Sequence, residues 1–189
     1  MRKIIVHEFI TLDGVIQATG SHTEDIDGGF THGGWTLPYW HDDIGAHFGQ
    51  IFADADTLLL GRKTWQMHGE AFEPDPANDP FGGMKKYVVS NTLKSADAWR
   101  DSSIIRGNVI EEIRKLKSQP GKNIIMDGSS VLLHDLIKND LVDEYALHVY
   151  PITLGIGKRL FPAGKRVNLK LIEATSLPTG VLYQRYQPA

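Results

Sequence analysis

The chain has 189 residues, 41% hydrophobic and 23% charged, with a formal net charge of −3 and no cysteine. A chain of this length makes one domain, or one domain with an insertion, and buries roughly 70% of its unfolded surface without a metal or disulfide staple. The missing cysteines remove disulfide scaffolds, thiol nucleophiles and thiolate metal sites, and the near-balanced charge leaves no electrostatic footprint for nucleic acid or a membrane surface.

Met1 to Ile10 has an apolar run of only three residues before His7 and Glu8, too short for a secretory signal or a membrane span, so the cytoplasm is the expected location. Lys3 to Ile10 reads as a β-branched first strand that stops at Thr11-Leu12-Asp13-Gly14. Residues 17–36, rich in Gly, Asp, Thr and Ser, show no period and read as one long loop. From Asp42 to Phe52, Ile44, Phe48, Ile51 and Phe52 fall at helical spacing, and Gly45 and Gly49 on a neighbouring stripe predict close packing against a sheet.

Three similar units follow. Thr57 to Leu60 is a short apolar strand and Gly61 opens a turn into a helix. Tyr87 to Val89 is a second strand, ending at Ser90-Asn91-Thr92. Ile124 to Met126 is a third, ending at Asp127-Gly128-Ser129-Ser130 before a helix over Val131 to Lys138. Between them lies a surface loop at 73–83 and a helix over Val109 to Lys117, with Asn108 as its N-cap. Short apolar strands alternating with helices predict a mainly parallel sheet covered on both faces. The tail differs: a long strand over Asp143 to Ile152, then a hairpin of Leu169 to Ala174 and Val181 to Gln187. The sheet is therefore expected to be mixed. No repeat or linker divides residues 1–189, so a single domain is expected.

In an open α/β sheet, ligands bind beyond the carboxyl ends of the parallel strands. Here each of the three strand exits carries small residues: Gly61, then Ser90 and Asn91, then Gly128, Ser129 and Ser130. Small residues admit an anion to backbone N–H groups at a helix N-terminus, so three such turns in a row suit an extended polyanion such as a dinucleotide. Strand termination and helix capping explain any one of them equally. Arg62 and Lys63 are cations at the end of a helix that prefers anions. A bound phosphate resolves that conflict, and a solvated basic pair is the rival reading. The eight histidines show no His-Glu-x-x-His spacing and predict no metal site. His7 and His148 lie in strands and read as satisfied structural residues. No Gly-x-Ser-x-Gly supports serine chemistry.

These residues carry a family resemblance. Leu58-Leu59-Leu60-Gly61-Arg62-Lys63-Thr64-Trp65 resembles the strand and turn that grip NADPH in dihydrofolate reductases, and Lys86 to Leu93 resembles the next cofactor-binding strand. Leu141-Val142-Asp143-Glu144, Pro151 to Gly157 with Leu160-Phe161, and Thr11 to Val15 are similar to the reductase domain of the bifunctional riboflavin-biosynthesis deaminase-reductase. The resemblance covers nearly the whole chain in order. It implies a dihydrofolate-reductase-like three-layer α/β fold, NADPH as cofactor, and hydride transfer to a small heterocyclic or sugar-imine substrate. Gly61, Arg62, Lys63, Thr64, Ser90, Asn91, Gly128, Ser129 and Ser130 would then hold the cofactor. Thr11, Gly14, Trp35, Asp43 and Leu154 would line the substrate, with Asp13 as the catalytic candidate.

Three departures stand out. The family has two glycines, joined by a cis bond in dihydrofolate reductases, where this chain has Gly128-Ser129. Asn91 replaces an arginine common in dihydrofolate reductases. Residues 17–36 carry no Lys or Arg to bind a substrate phosphate. A nucleotide-binding sensor that keeps the fold without turnover is the alternative reading. Relatives of this type often dimerise, and the apolar C-terminal hairpin is the candidate interface.

Overall fold

The computed structural model describes residues 1–189. Eight strands form one sheet: β1 (Ile4–Thr11), β2 (Ala55–Gly61), β3 (Lys85–Val89), β4 (Ser102–Ile105), β5 (Asn123–Asp127), β6 (Glu144–Tyr150), β7 (Leu169–Ser176) and β8 (Leu182–Pro188). Their spatial order is β4-β3-β2-β5-β1-β6-β8-β7. The six from β4 to β6 run parallel, and β8 and β7 add an antiparallel pair at one end.

Buried parallel strands need apolar side chains on both faces, which is why β2 reads as an unbroken leucine run. Leu58 and Leu60 enter one core, Leu59 the other, and all three are fully buried. The first core takes α1 (Asp42–Ala53) and α2 (Arg62–Phe72) through Ile44, Ile51 and Trp65. The second takes α3 (Val109–Ser118) and α4 (Ser130–Lys138) through Ile113, Leu116, Leu132, Leu133 and Leu136. The result is three layers, helix pair on sheet on helix pair, with the hairpin β7–β8 extending the sheet past β6.

The structure corrects two expectations. Ser90 does not open a helix: its turn leads through residues 91–101 into β4, a strand too short to read from its sequence. Gly45 and Gly49 do not pack on the sheet; a Cβ at either would meet nothing within 4 Å, so they face solvent. The stripe that does pack is Ile44, His47, Phe48, Ile51 and Phe52, one position away on the helix. Asp42 and Asp43 are both in the first turn of α1, and the cap is His41, whose Nδ1 accepts from the Asp43 N–H at 3.2 Å. The Gly128–Ser129 bond is trans, and both residues take left-handed backbone, φ 73° and 71°.

Candidate active site

All the parallel strands end on one edge. The connection leaving β2 runs through α2 over one face, and that leaving β5 runs through α4 over the other. The crevice between these neighbouring strands is therefore a topological switch point.

The two helices start side by side there. Ser129 Oγ accepts from the Gly61 N–H at 2.7 Å and donates to Thr64 Oγ1 at 2.8 Å. A Cβ on Gly128 would come within 2.8 Å of Thr64 Cγ2, and one on Gly61 within 2.9 Å of Ser129 Oγ. Glycine is thus required at both places by space, and at Gly128 also by its positive φ. Ser129 holds left-handed backbone at a cost of roughly 1–2 kcal/mol, offset by its two hydroxyl bonds. Ser130 is the first residue of α4.

The four helices differ at their N-termini. α1 begins with Asp42 and Asp43 under the His41 cap, and α3 with Glu111 and Glu112 under Asn108, whose side chain accepts from the Glu111 N–H. α2 and α4 have no acidic residue in the first turn and no capping side chain of their own. Two positive helix ends meet at the crevice with no first-turn carboxylate to balance them; the nearest, Asp127, is engaged by His7 and His68. Beneath the Gly128 turn, Glu8 accepts the Gly128 N–H at 2.8 Å. Burial, reinforced by the Asp127 charge, raises its pKa well above the ordinary range, so this acid opposes an anion far less than a carboxylate would.

The remaining cofactor candidates lie outward along the same edge. Ser90 Oγ accepts from the Thr92 and Leu93 N–H groups at 3.2 and 3.0 Å, and Asn91 Oδ1 from the Gly107 N–H at 3.3 Å, which ties the β3 exit to the β4 exit. Arg62 is exposed and bonds Gln66 at 2.7 Å. Lys63 is paired with Asp27 of the 17–36 loop, and Lys158 bridges the same Asp27 and Asp25. Lys158 and Lys63 pull the Asp27 pKa down to about 2.

On the other side of the crevice, Thr11, Asp13, Gly14 and Leu154 form a single junction between the β1 and β6 exits. Asp13 Oδ1 accepts from Thr11 Oγ1 at 2.6 Å and from the Leu154 N–H at 3.2 Å, and Oδ2 from the Gly155 N–H at 2.7 Å. Partial burial works against its charge, but the Thr11 hydroxyl and the two amides outweigh it and hold the carboxyl below its usual range. Thr11 Oγ1 also accepts from the Val15 N–H, and Gly14 turns with φ 85°. Trp35 is buried, donates from Nε1 to the Gln17 carbonyl and stands edge-on to Tyr150 at 5.2 Å. Asp43 is 58% exposed beside His41, one helical turn before His47.

Sequence reasoning missed one polar group in this region. Asp127, at the end of β5, accepts from His7 Nδ1 at 2.9 Å and from His68 Nε2 of α2 at 3.2 Å. Its side chain is 23% exposed. Although burial opposes ionisation, the His68 and His7 bonds outweigh it and hold Asp127 far below the usual carboxylate range. On β6, His148 Nε2 lies 3.2 Å from His47 Nδ1 of α1. Burial, then the proximity of His7 and His47, pushes its pKa down to about 2. His7 Nε2, His148 Nδ1 and Tyr150 Oη are buried without a partner. An unmade bond of this kind costs about 1–3 kcal/mol each. The one advance signal was the alternation His7-x-Phe9 and His148-x-Tyr150, which puts all four side chains on one sheet face. A surface depression of about 380 Å³ lined by Lys3, Asp140, Tyr145 and Gln187 lies at the opposite, amino-terminal edge of β1 and β6 and touches none of these groups.

Comparison with known proteins gives this arrangement a family. The RibD C-terminal domain model matches residues 2–183. The chain belongs to the RibD C-terminal domain family. The chain is 32% identical to the uncharacterized protein YyaP of Bacillus subtilis (strain 168) over 189 residues, covering 96% of this chain and 92% of that protein. It is 27% identical to the uncharacterized protein YwjB of the same organism, over 85% of this chain and 83% of that one. Among solved structures, a Shewanella sp. PV-4 protein assigned by name to riboflavin biosynthesis superposes with a TM-score of 0.69 at 21% identity, covering 99% of both chains. A pyrimidine reductase-like protein from Corynebacterium diphtheriae superposes with a TM-score of 0.66 at 12% identity, over 100% of this chain and 92% of that one. The shared architecture is the dihydrofolate-reductase-like fold. No helix is long and apolar enough to cross a membrane.

Proposed function

We propose that this RibD C-terminal domain protein is an NADPH-dependent reductase that passes a hydride to an electron-poor carbon of a small heterocyclic or sugar-imine substrate. The observation that carries the reading is the meeting of the α2 and α4 N-termini at the β2/β5 switch point, both free of acidic residues, while α1 and α3 carry them. The first-turn N–H groups of these two helices suit the cofactor's pyrophosphate, with Gly61, Thr64, Gly128, Ser129 and Ser130 as its walls. Ser90, Asn91 and Arg62 face the adenosine end. Lys63 is engaged by Asp27, so the preference for a 2′-phosphate rests on Arg62.

The cofactor, when bound, supplies the hydride; the chain supplies orientation and exclusion of water. Thr11, Asp13, Gly14 and Leu154 shape the nicotinamide end. Asp13 positions these loops and, with its carboxyl held ionised, is no proton donor at neutral pH. Trp35 and Tyr150 wall the substrate side, and Asp43 stands at its rim.

Fluorescence titration of NADPH and NADH tests the reading. NADPH is expected to bind more tightly than NADH. Arg62→Ala is expected to weaken NADPH about tenfold and leave NADH nearly unchanged, the effect of losing one charge-assisted phosphate contact. Equal affinities, unaltered by the substitution, would remove the 2′-phosphate assignment, and no binding of either nucleotide would remove the reductase. NADPH binding without oxidation by any pterin, pyrimidine or quinonoid acceptor in stopped flow would favour the sensor. The same reading includes a cytoplasmic homodimer built on the edge strand β7, where Leu171 and Ile172 are 51% and 45% exposed; sedimentation of the purified chain checks it.

A further inference from the structure

A buried acid lies under the Gly128 turn, and the fold gives it no cation. Glu8 of β1 is 5% exposed and accepts one hydrogen bond, from the Gly128 N–H at 2.8 Å. Alternation along β1 turns Glu8, with Val6 and Ile10, toward the layer of α3 and α4 and away from His7 and Phe9. Leu147 stands opposite it on β6. Apolar side chains fill the rest of that face, so packing gives no reason for an acid there.

Its surroundings are negative. Asp127 ends the neighbouring strand β5, and Glu24 of the 17–36 loop faces Glu8 while held by the Ser21 N–H at 3.1 Å. Every cation at this edge is engaged elsewhere. Arg62 bonds Gln66, Lys63 pairs with Asp27, and Lys158 bridges Asp25 and Asp27. Arg159 donates to the Asp13 carbonyl with the Asp13 carboxylate 4.0 Å away, and His134 of α4 lies 2.8 Å from the Arg159 carbonyl. His7 and His68 face Asp127. Burial first, then the Asp127 charge, already raises the Glu8 pKa, against the Gly128 bond, which lowers it.

We propose that Glu8 is a nucleotide-binding residue that takes up a proton as the pyrophosphate settles on the α2 and α4 N-termini. The inference rests on the reductase reading for the identity of that anion. An ionised Glu8 puts a negative charge on the amide that opens the α4 turn and competes there with the incoming phosphates. The protonated carboxyl still accepts the Gly128 N–H, carries no charge and offers an O–H donor. The proton comes from solvent and returns to it when the nucleotide leaves. Linkage makes the effect reciprocal: the bound anion raises the Glu8 pKa, and ionised Glu8 weakens the anion. Affinity is level at acid pH, where Glu8 is protonated in both states. Between the free and bound pKa it falls about tenfold per pH unit, the slope of one proton taken up.

The test follows the Glu8 carboxyl carbon of the full chain by NMR titration, without and with saturating NADP+, which carries the same pyrophosphate as NADPH. The Glu8 pKa is expected to rise by about one unit or more on binding. Calorimetry over about pH 5 to 9 compares wild type with Glu8→Gln, which keeps an acceptor for the Gly128 N–H and cannot titrate. The 2′-phosphate titrates in both chains and cancels. Equal affinities are expected at the acid end, and about tenfold or tighter binding by Glu8→Gln at the alkaline end. A merely structural acid predicts a constant affinity ratio and an unmoved carboxyl pKa. Either result with NADP+ bound would overturn the proposal and leave the reductase standing. The carboxyl titration decides alone if Glu8→Gln does not fold. No binding of NADP+ would remove both readings. A raised Glu8 pKa in a chain that oxidises NADPH with no acceptor would sink the reductase and leave the assignment of Glu8 in place.

Discussion

At Asp13 both carboxylate oxygens are occupied, Oδ1 by the Thr11 hydroxyl and the Leu154 amide and Oδ2 by the Gly155 amide. One side chain therefore joins the two loops that follow β1 and β6. Asp13→Ala removes the join without touching the α2 and α4 ends. Turnover is expected to fall by about 10²-fold, the effect of misplacing reactants by an ångström, with NADPH affinity little altered. An equal loss of cofactor affinity would place Asp13 in the nucleotide seat instead. The Thr-Leu-Asp-Gly motif was legible as a site from the sequence; its function as a brace was not, because its partners lie 141 and 142 residues away. The same limit hid His7, whose partner Asp127 is 120 residues distant. A histidine in a strand reads as satisfied until its neighbours are known, and here Nε2 is not.

Among the elements, α1 combines a well-packed inner stripe with two glycines that face water. Glycine in a helix interior costs about 1 kcal/mol against alanine, and no neighbour compensates it here. Gly45→Ala with Gly49→Ala is expected to raise stability by about 2 kcal/mol, or roughly 4–8 °C in thermal midpoint for a chain of this size. The elements themselves were mostly readable. Period and length exposed β2, β3, β5 and the hairpin, and Asn108 announced α3. β4 escaped because four residues pair only with the edge of β3 and bury just Ile105. The stripe on α1 was visible, but the neighbouring positions were wrongly placed on the sheet, since spacing alone does not say which side of a stripe turns outward.

For the molecule as a whole, the buried acid and imidazole groups set the dependence of stability on pH. His148 has an ordinary value of 6.5 and is pushed down to about 2 by burial and by His7 and His47. The unfolded chain takes up that proton below about pH 6.5 and the folded chain does not. Its stability is therefore present above pH 6.5 and lost as pH falls, at about 1.4 kcal/mol per unit. Glu8 acts the other way. Its pKa is raised above 4.5, so its share is present at acid pH and lost as pH rises. Between pH 4.5 and 6.5 the two oppose each other and the wild-type profile is expected to be shallow. Glu8→Gln keeps an acceptor for the Gly128 N–H and removes only the titration, so urea midpoints of this variant should fall steeply below pH 6.5. An unchanged profile would mean that Glu8 ionises normally.

The order of the sheet has a consequence in time. β1 lies near the centre, between β5 and β6, with Ile5 paired to Ile125 and to Glu144. During synthesis β1 emerges first and has no partner until most of the chain has followed. Helices can form as they appear, but the sheet they rest on cannot close. Distant pairing of this kind slows folding and leaves apolar strands unprotected meanwhile. Nascent chains ending before β6 are expected to stay protease-sensitive on the ribosome, with protection arriving only once residue 150 has cleared the exit tunnel.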